Sequence, residues 1–268
     1  MSLRFASLGS GSEGNALLVE AGNSRVMLDC GFGLRETERR LNRLGCNPND
    51  LHAIVITHEH ADHIGSAYSL ALSYSLPLYM SYGTYQATQK KANIRGRTPD
   101  IRFCQADHTV HIGELALHPY TVPHDAREPL QFVFQAGHVR IGVLTDVGMS
   151  TPYLIKNLQG VQALMLEFNH DHALLAASNY PASLKSRIGG NFGHLANHIA
   201  AKILSEVVHP DLQMVVAAHL SQQNNTREHT LSALSQVYQG SVHIACQERG
   251  FDWLSVDTRI PESTLIDA

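Results

Sequence analysis

Apolar positions in this chain gather into short runs, many rich in β-branched residues and each closed by a polar residue or a glycine. Runs at Leu3–Leu8, Ala16–Glu20 and Arg25–Leu28 predict three strands, the last two joined by an Ala-Gly-Asn-Ser turn. Apolar spacing changes to a helical period over Leu34–Leu44, which stops at Gly45 with Pro48 just beyond. A buried strand is expected at Ala53–Ile56, then a helix reaching about Ser73 and a short strand at Leu76–Met80. Further strands are predicted at Arg102–Cys104, Leu115–Val122, Gln131–Gln135 and Val139–Thr145. The remainder predicts helices at Pro181–Arg187, Leu195–Val207 and Thr226–Tyr238, with strands at Met214–Ala217 and Ser241–Cys246. Strands and helices mixed in this way define an α/β (α+β) chain.

Chemistry concentrates where these strands end. Directly after Ala53–Ile56 come His58, His60, Asp62 and His63. In an extended segment His58 and His60 point to the same side, while Asp62 and His63 fall where the next helix opens. Three imidazoles and a carboxylate at a strand end make half of a metal site. The chain has 17 histidines, but scattered surface histidines need neither this spacing nor this placement. His124 and Asp146 stand just past two further strands, and Asp29 ends another; alone, Asp29 could be a ligand, an orienter of ligands or a turn-maker. Gly9–Gly14 forms a GxGxxG after a strand. No helix follows it, so a dinucleotide fold is rejected. Either a hairpin loop or a loop lending backbone N–H groups to a phosphate remains.

At 268 residues with 44% hydrophobic content, the chain can bury a large core, and a single domain over residues 1–268 is expected. A formal charge of −4 argues against an all-over nucleic-acid coat but leaves room for a local basic groove or a small substrate. Gln89–Arg97 holds Lys90, Lys91, Arg95 and Arg97 without an acid, as either a solvated helix face or a phosphate contact. Four scattered cysteines without a CxxC pair suit reduced thiols of a cytoplasmic protein. No apolar run is long enough to span a bilayer, so no membrane partner is expected.

The segments SLGSGSEGN, LDCG, THEHADH, VPHDA, TDVG, EFNHD, YPASLKSRI, GHLAN and AHLSQQNN, spread from Ser7 to Asn225, resemble in order the landmarks of the metallo-β-lactamase superfamily and, within it, of the WalJ/YycJ-like hydrolases. That resemblance implies a four-layer αββα metallo-β-lactamase sandwich. A weak internal echo agrees with it: VMLDCGF and GVLTDVG each end an apolar strand in Asp and then Gly, and each precedes another strand that runs into histidine. The resemblance also implies a ligand set of His58, His60 and His124 for one ion and Asp62, His63 and His219 for another, with Asp146 bridging and Asp29 supporting the His loop.

Two divalent ions so held can clamp a hydroxide and polarise a substrate oxygen. Nitrogen and oxygen ligands suit zinc, and the carboxylates also admit manganese or iron. Asp62, His170 and His194 are the candidate catalytic groups; one of the two histidines would protonate a departing oxygen and the other hold a phosphate oxygen, unless both only support the structure. Ser221, Asn224, Asn225, Lys185 and Arg187 are candidate substrate contacts. Between Asp146 and His219 there is no room for the cap domain that larger ribonucleases of the superfamily insert there. The resemblance implies a phosphodiesterase or nuclease acting on DNA, exonuclease-like from the 5′ end. Two other readings stand beside it: a hydrolase of a small cyclic phosphodiester, lactone or thioester, and a catalytically silent regulatory protein stabilised by metal.

Overall fold

Side chains alternate across a strand, so a strand with no polar face must be buried on both sides. Most strands here are of that kind, and two seven-stranded sheets result, stacked face to face with helices outside each. The computed structural model describes residues 2–257; Met1 and residues 258–268, which the expected single domain includes, lie outside the described residues.

The first sheet contains β1 (Leu3–Gly9), β2 (Ala16–Ala21), β3 (Ser24–Leu28), β4 (Ala53–Val55), β5 (Leu78–Met80) and β6 (Ile101–Phe103). The second contains β7 (Val110–Ile112), β8 (Leu115–Thr121), β9 (Leu130–Ala136), β10 (Val139–Leu144), β11 (Ala163–Glu167), β12 (Met214–Ala218) and β13 (Ser241–Ile244). The last strand, β14 (Phe251–Val256), returns to the first sheet and pairs antiparallel with β1, giving the order β14-β1-β2-β3-β4-β5-β6. The second sheet runs β13-β12-β11-β10-β9-β8-β7.

Three separate apolar cores mark the three interfaces of the four layers. Between the sheets, Phe5, Val19 and Val55 meet Leu117, Phe132, Phe134 and Ile141. The outer face of the first sheet, through Leu18, Met27 and Ile54, packs on Leu41 of α1 (Leu34–Arg43) and Leu70 of α3 (Ala67–Tyr74), with the single turn α2 (Ala61–Ile64) between them. Outside the second sheet, Leu144, Leu164 and Val215 pack on Leu154 and Leu158 of α5 (Pro152–Leu158) and on Ile203 and Leu204 of α8 (Asn197–Val207). The expected αββα sandwich is the fold observed.

Several elements differ from expectation. The helix expected to run unbroken to Ser73 is two pieces, α2 and α3, separated by Gly65 and Ser66. Helix α4 (Tyr82–Ala92) was unexpected because its sequence lacks an apolar stripe; Ser81 starts it by capping Thr84 N. Thr151 with Pro152 starts α5, and Asp171 caps α6 (His172–Ala177), so single capping residues decide two helices too short to show periodicity. Helices α7 (Ala182–Ile188) and α9 (Arg227–Ser235) closely match their expected spans. No helix among the described residues is long and apolar enough to cross a membrane.

The loop Gly9–Gly14 is internal scaffolding. The amides of Ser10, Gly11, Glu13 and Gly14 donate to Cys246 O, Asn15 Oδ1, Gln247 Oε1 and Gly11 O, so these N–H groups hold the loop itself together.

Candidate metal centre

The parallel strands β3, β4, β10, β11 and β12 all end on one rim, and the polar residues that follow them converge there. Asp29, Asp146 and His219, each just past a strand, take left-handed backbone with φ of 61°, 55° and 55°. L-residues other than glycine seldom adopt this conformation, at a cost of about 1–2 kcal/mol each, and such strain concentrates at functional sites. After β4 the chain turns at His60, which precedes the first turn of α2, so Asp62 and His63 project from a helix start beside His58.

Ligand atoms of His58, His60 and His124 lie within 4.8 Å of one another, as do those of Asp62, His63 and His219. Asp146 belongs to a third such group with His58 and His63 and to a fourth with Glu167, His194 and His219, so it stands between the first two. His63 Nε2 is 3.1 Å from Asp146 Oδ2, and His219 Nε2 is 3.6 Å from both Asp146 Oδ1 and Asp62 Oδ2.

Most of these rings are gripped by the far nitrogen, which turns Nε2 toward the centre. Thr57 Oγ1 holds His58 Nδ1 at 2.9 Å, Asp29 Oδ2 holds His63 Nδ1 at 2.8 Å, and the Gly193 carbonyl holds His124 Nδ1 at 3.2 Å. Glu167 Oε1 holds both His194 Nδ1 at 2.8 Å and His219 Nδ1 at 3.1 Å. Three buried atoms at the centre, His58 Nε2, His219 Nε2 and Asp146 Oδ2, have no hydrogen-bond partner. Buried polar atoms are normally satisfied, and bare imidazole and carboxylate donors gathered at one point fit one or two divalent cations.

Electrostatics sharpens that fit. Burial pushes the Asp62 and Asp146 carboxyls up, but the neighbouring imidazoles of His219 and His63 outweigh it and hold both well below the ordinary range. Burial pushes His58 down, and the charge of His63 adds to it, so this ring is a neutral donor. His219 goes the other way: burial opposes, but Asp146, Asp62 and Glu167 lift it to about 10. In this cluster the imidazole protons balance the carboxylates, and a bound cation would take the place of those protons.

A model of the beta-lactamase superfamily domain matches residues 24–231, a span that includes every one of these groups. The chain belongs to the beta-lactamase superfamily. As a member it has a metal-binding hydrolase fold. It is 33% identical over 253 residues to a Bacillus anthracis protein named exodeoxyribonuclease YycJ, covering 94% of this chain and 92% of that one. Exodeoxyribonuclease WalJ of Streptococcus pneumoniae is 27% identical over 260 residues, 96% of each chain. Among solved structures, the metallo-beta-lactamase fold protein YhfI of Bacillus subtilis superposes with a TM-score of 0.75 at 16% identity, over 95% of this chain and 99% of that one, a likeness of fold alone.

In this superfamily member the remaining candidate residues divide. His194 is at the centre, with Nδ1 3.7 Å from Asp146 Oδ1. His170 is buried behind it and lines a cleft of about 770 Å³ that opens beside His194; burial lowers its ring to about 4. Lys185 lines the same cleft, its Nζ bonded to Ala176 O at 2.6 Å. Arg187 is paired at 2.6 Å with Asp125, whose Oδ1 is 3.5 Å from His124 Nε2.

Asn224 and Asn225 are both buried. The Asn225 amide ties together Phe168 O, Asn169 O and Asn197 Oδ1, while the Asn224 amide turns back to Ser221 Oγ. Ser221 Oγ also accepts from Asn224 N, while Asn224 Oδ1 has no hydrogen-bond partner. Three residues went unassigned in the sequence: Glu167, Thr57 and Asn15, whose amide nitrogen lies 3.1 Å from His63 Nε2. A carboxylate closing the otherwise apolar run Ala163–Glu167 was the available signal for Glu167.

Proposed function

We propose that this protein is a binuclear metal-dependent phosphodiesterase that degrades DNA from the 5′ end. The observation that carries the proposal is kinship along nearly the full length of both chains with relatives named exodeoxyribonucleases, 33% identical in one case. It is supported by the junction of the metal-competent cluster with a cleft lined by Lys185 and histidines. His58, His60 and His124 would hold one ion, Asp62, His63 and His219 the other, and Asp146 would bridge them. Bound there, zinc, manganese or iron would supply hydroxide near neutral pH and offset the phosphate charge.

The protein's own groups do the rest. Asp29, Thr57 and Glu167 keep the rings aimed, so little reorganisation accompanies binding. His194, steadied by Glu167 and open to the cleft, donates the proton to the departing oxygen. His170, set deeper in the cleft wall with Nδ1 3.3 Å from Asn169 Oδ1, would meet a phosphate oxygen only with its ring turned or protonated. A cytoplasmic setting belongs to the same proposal, supported by cysteines that stand apart as free thiols.

The test uses 5′- and 3′-labelled DNA and RNA, single-stranded and duplex, with manganese or zinc, and Asp146→Ala as the control. The expected result is mononucleotide release from the 5′ end of DNA that disappears in the variant. Polynucleotides left intact under every metal, while a small ester or lactone is hydrolysed, would overturn it.

A further inference from the structure

The chain carries a formal charge of −4, yet no carboxylate lines the cleft beside the metal centre. Lys185, Lys202 and four histidines line it instead, over a partly apolar floor that includes Leu175, Ile199 and the exposed Met149. Its volume, about 770 Å³, is in the range of genuine ligand sites. It does not end there. A second depression of about 380 Å³ shares Ser150 and Lys202 with the first and continues along α5 to Lys156, with Glu206 at its side. Lys202 and Lys156 are both exposed and stand on the outer helices of the second sheet, so the two hollows form one open groove leading away from His194.

A site built for a small ester would close beyond the reacting group. This one stays open and repeats its positive charge, which suits a chain of phosphates. A single strand can lay sugars and bases on its apolar floor. His172 and His198, exposed rings with centroids 6.3 Å apart on its wall, offer faces on which a base can stack.

We infer that one polynucleotide strand runs along the α5–α8 groove, with the phosphate to be cut at the metal centre and the following phosphates met in turn by Lys185, Lys202 and Lys156. This rests on the nuclease function proposed above and adds the path of the strand that is cut.

The test compares Lys156→Glu/Lys202→Glu with Lys90→Glu/Lys91→Glu, an equal charge change on the exposed face of α4. Each is assayed on a short labelled single-stranded oligodeoxynucleotide and on bis(p-nitrophenyl) phosphate across a salt series. For the groove variant, the oligonucleotide KM should rise about tenfold more than that of the diester. Its log–log salt slope should fall by about 0.7 for each phosphate no longer neutralised. The α4 variant should keep the wild-type KM and slope. If the wild type degrades the oligonucleotide and the groove variant matches it, or both variants shift alike, the groove assignment is overturned and the nuclease function stands. If the wild type hydrolyses the diester but neither cleaves nor binds the oligonucleotide, the nuclease function fails and the groove assignment with it.

Discussion

Two corners of this molecule share one design and differ in one respect. Asp29-Cys30-Gly31 follows β3 and Asp146-Val147-Gly148 closely follows β10; each preceding strand has a parallel neighbour, β4 or β11, which delivers the next cluster residues. Both aspartates take left-handed backbone. Both glycines let another loop press against the corner: a Cβ on Gly31 would collide with the Asp62 carbonyl, and one on Gly148 with the Asn191 carbonyl. The first corner therefore seats the His loop, and the second seats the segment that carries His194.

The difference is in the carboxylates. Asp29 Oδ1 accepts from Thr57 N at 2.8 Å and Thr57 Oγ1 at 3.0 Å, and Oδ2 holds His63. Every oxygen is used, and burial raises its pKa. Asp146 Oδ2 has no well-aligned hydrogen bond, only the ion-pair contact with His63 Nε2 at 3.1 Å, and the surrounding imidazoles hold its carboxyl well below the ordinary range against the effect of burial. A satisfied buried carboxylate orients other groups, and an unsatisfied one among imidazoles is free to meet a cation. The same local geometry thus yields a support on one sheet and a ligand position on the other.

The comparison breaks most clearly at Asp146. Asp146→Asn should lower phosphodiester hydrolysis by at least about a thousandfold, corresponding to several kcal/mol of lost charge stabilisation. Metal content by plasma mass spectrometry should drop with it. Wild-type turnover in this variant would end the distinction between the corners. Asp29→Asn should do less, weakening metal affinity by about a hundredfold through a loosened His63, with activity restored by excess metal. Failure of added metal to rescue would make Asp29 more than a support. The smallest effect is expected from Gly148→Ala, which displaces the Asn191–Phe192 backbone: KM should rise about tenfold with metal content unchanged. Loss of metal there would mean that the second corner, too, seats the ligands.

Much of the architecture was legible because strand ends and their following residues are neighbours in sequence. THEHADH, LDCG and TDVG each show an apolar run meeting polar groups, and the same local pattern set the backbone that the structure contains. Elements without such a pattern were not legible. α4 has no apolar stripe, and β14 finds its place only by pairing with β1, at the opposite end of the chain. Asn225 shows a related limit: a polar residue after a strand end looks alike in sequence whether its amide meets solvent or donates to Phe168 and Asn197.

What the sequence determined alone is the donor chemistry and its spacing near strand ends, since these follow from residue type and the period of a strand. Tertiary structure decided which carboxylate is left bare, that Glu167 steadies two histidines at once, and that lysines of α5, α7 and α8 line one groove. Those outcomes depend on groups far apart in the chain meeting in one place, where hydrogen-bond satisfaction and charge are settled by all the neighbours together.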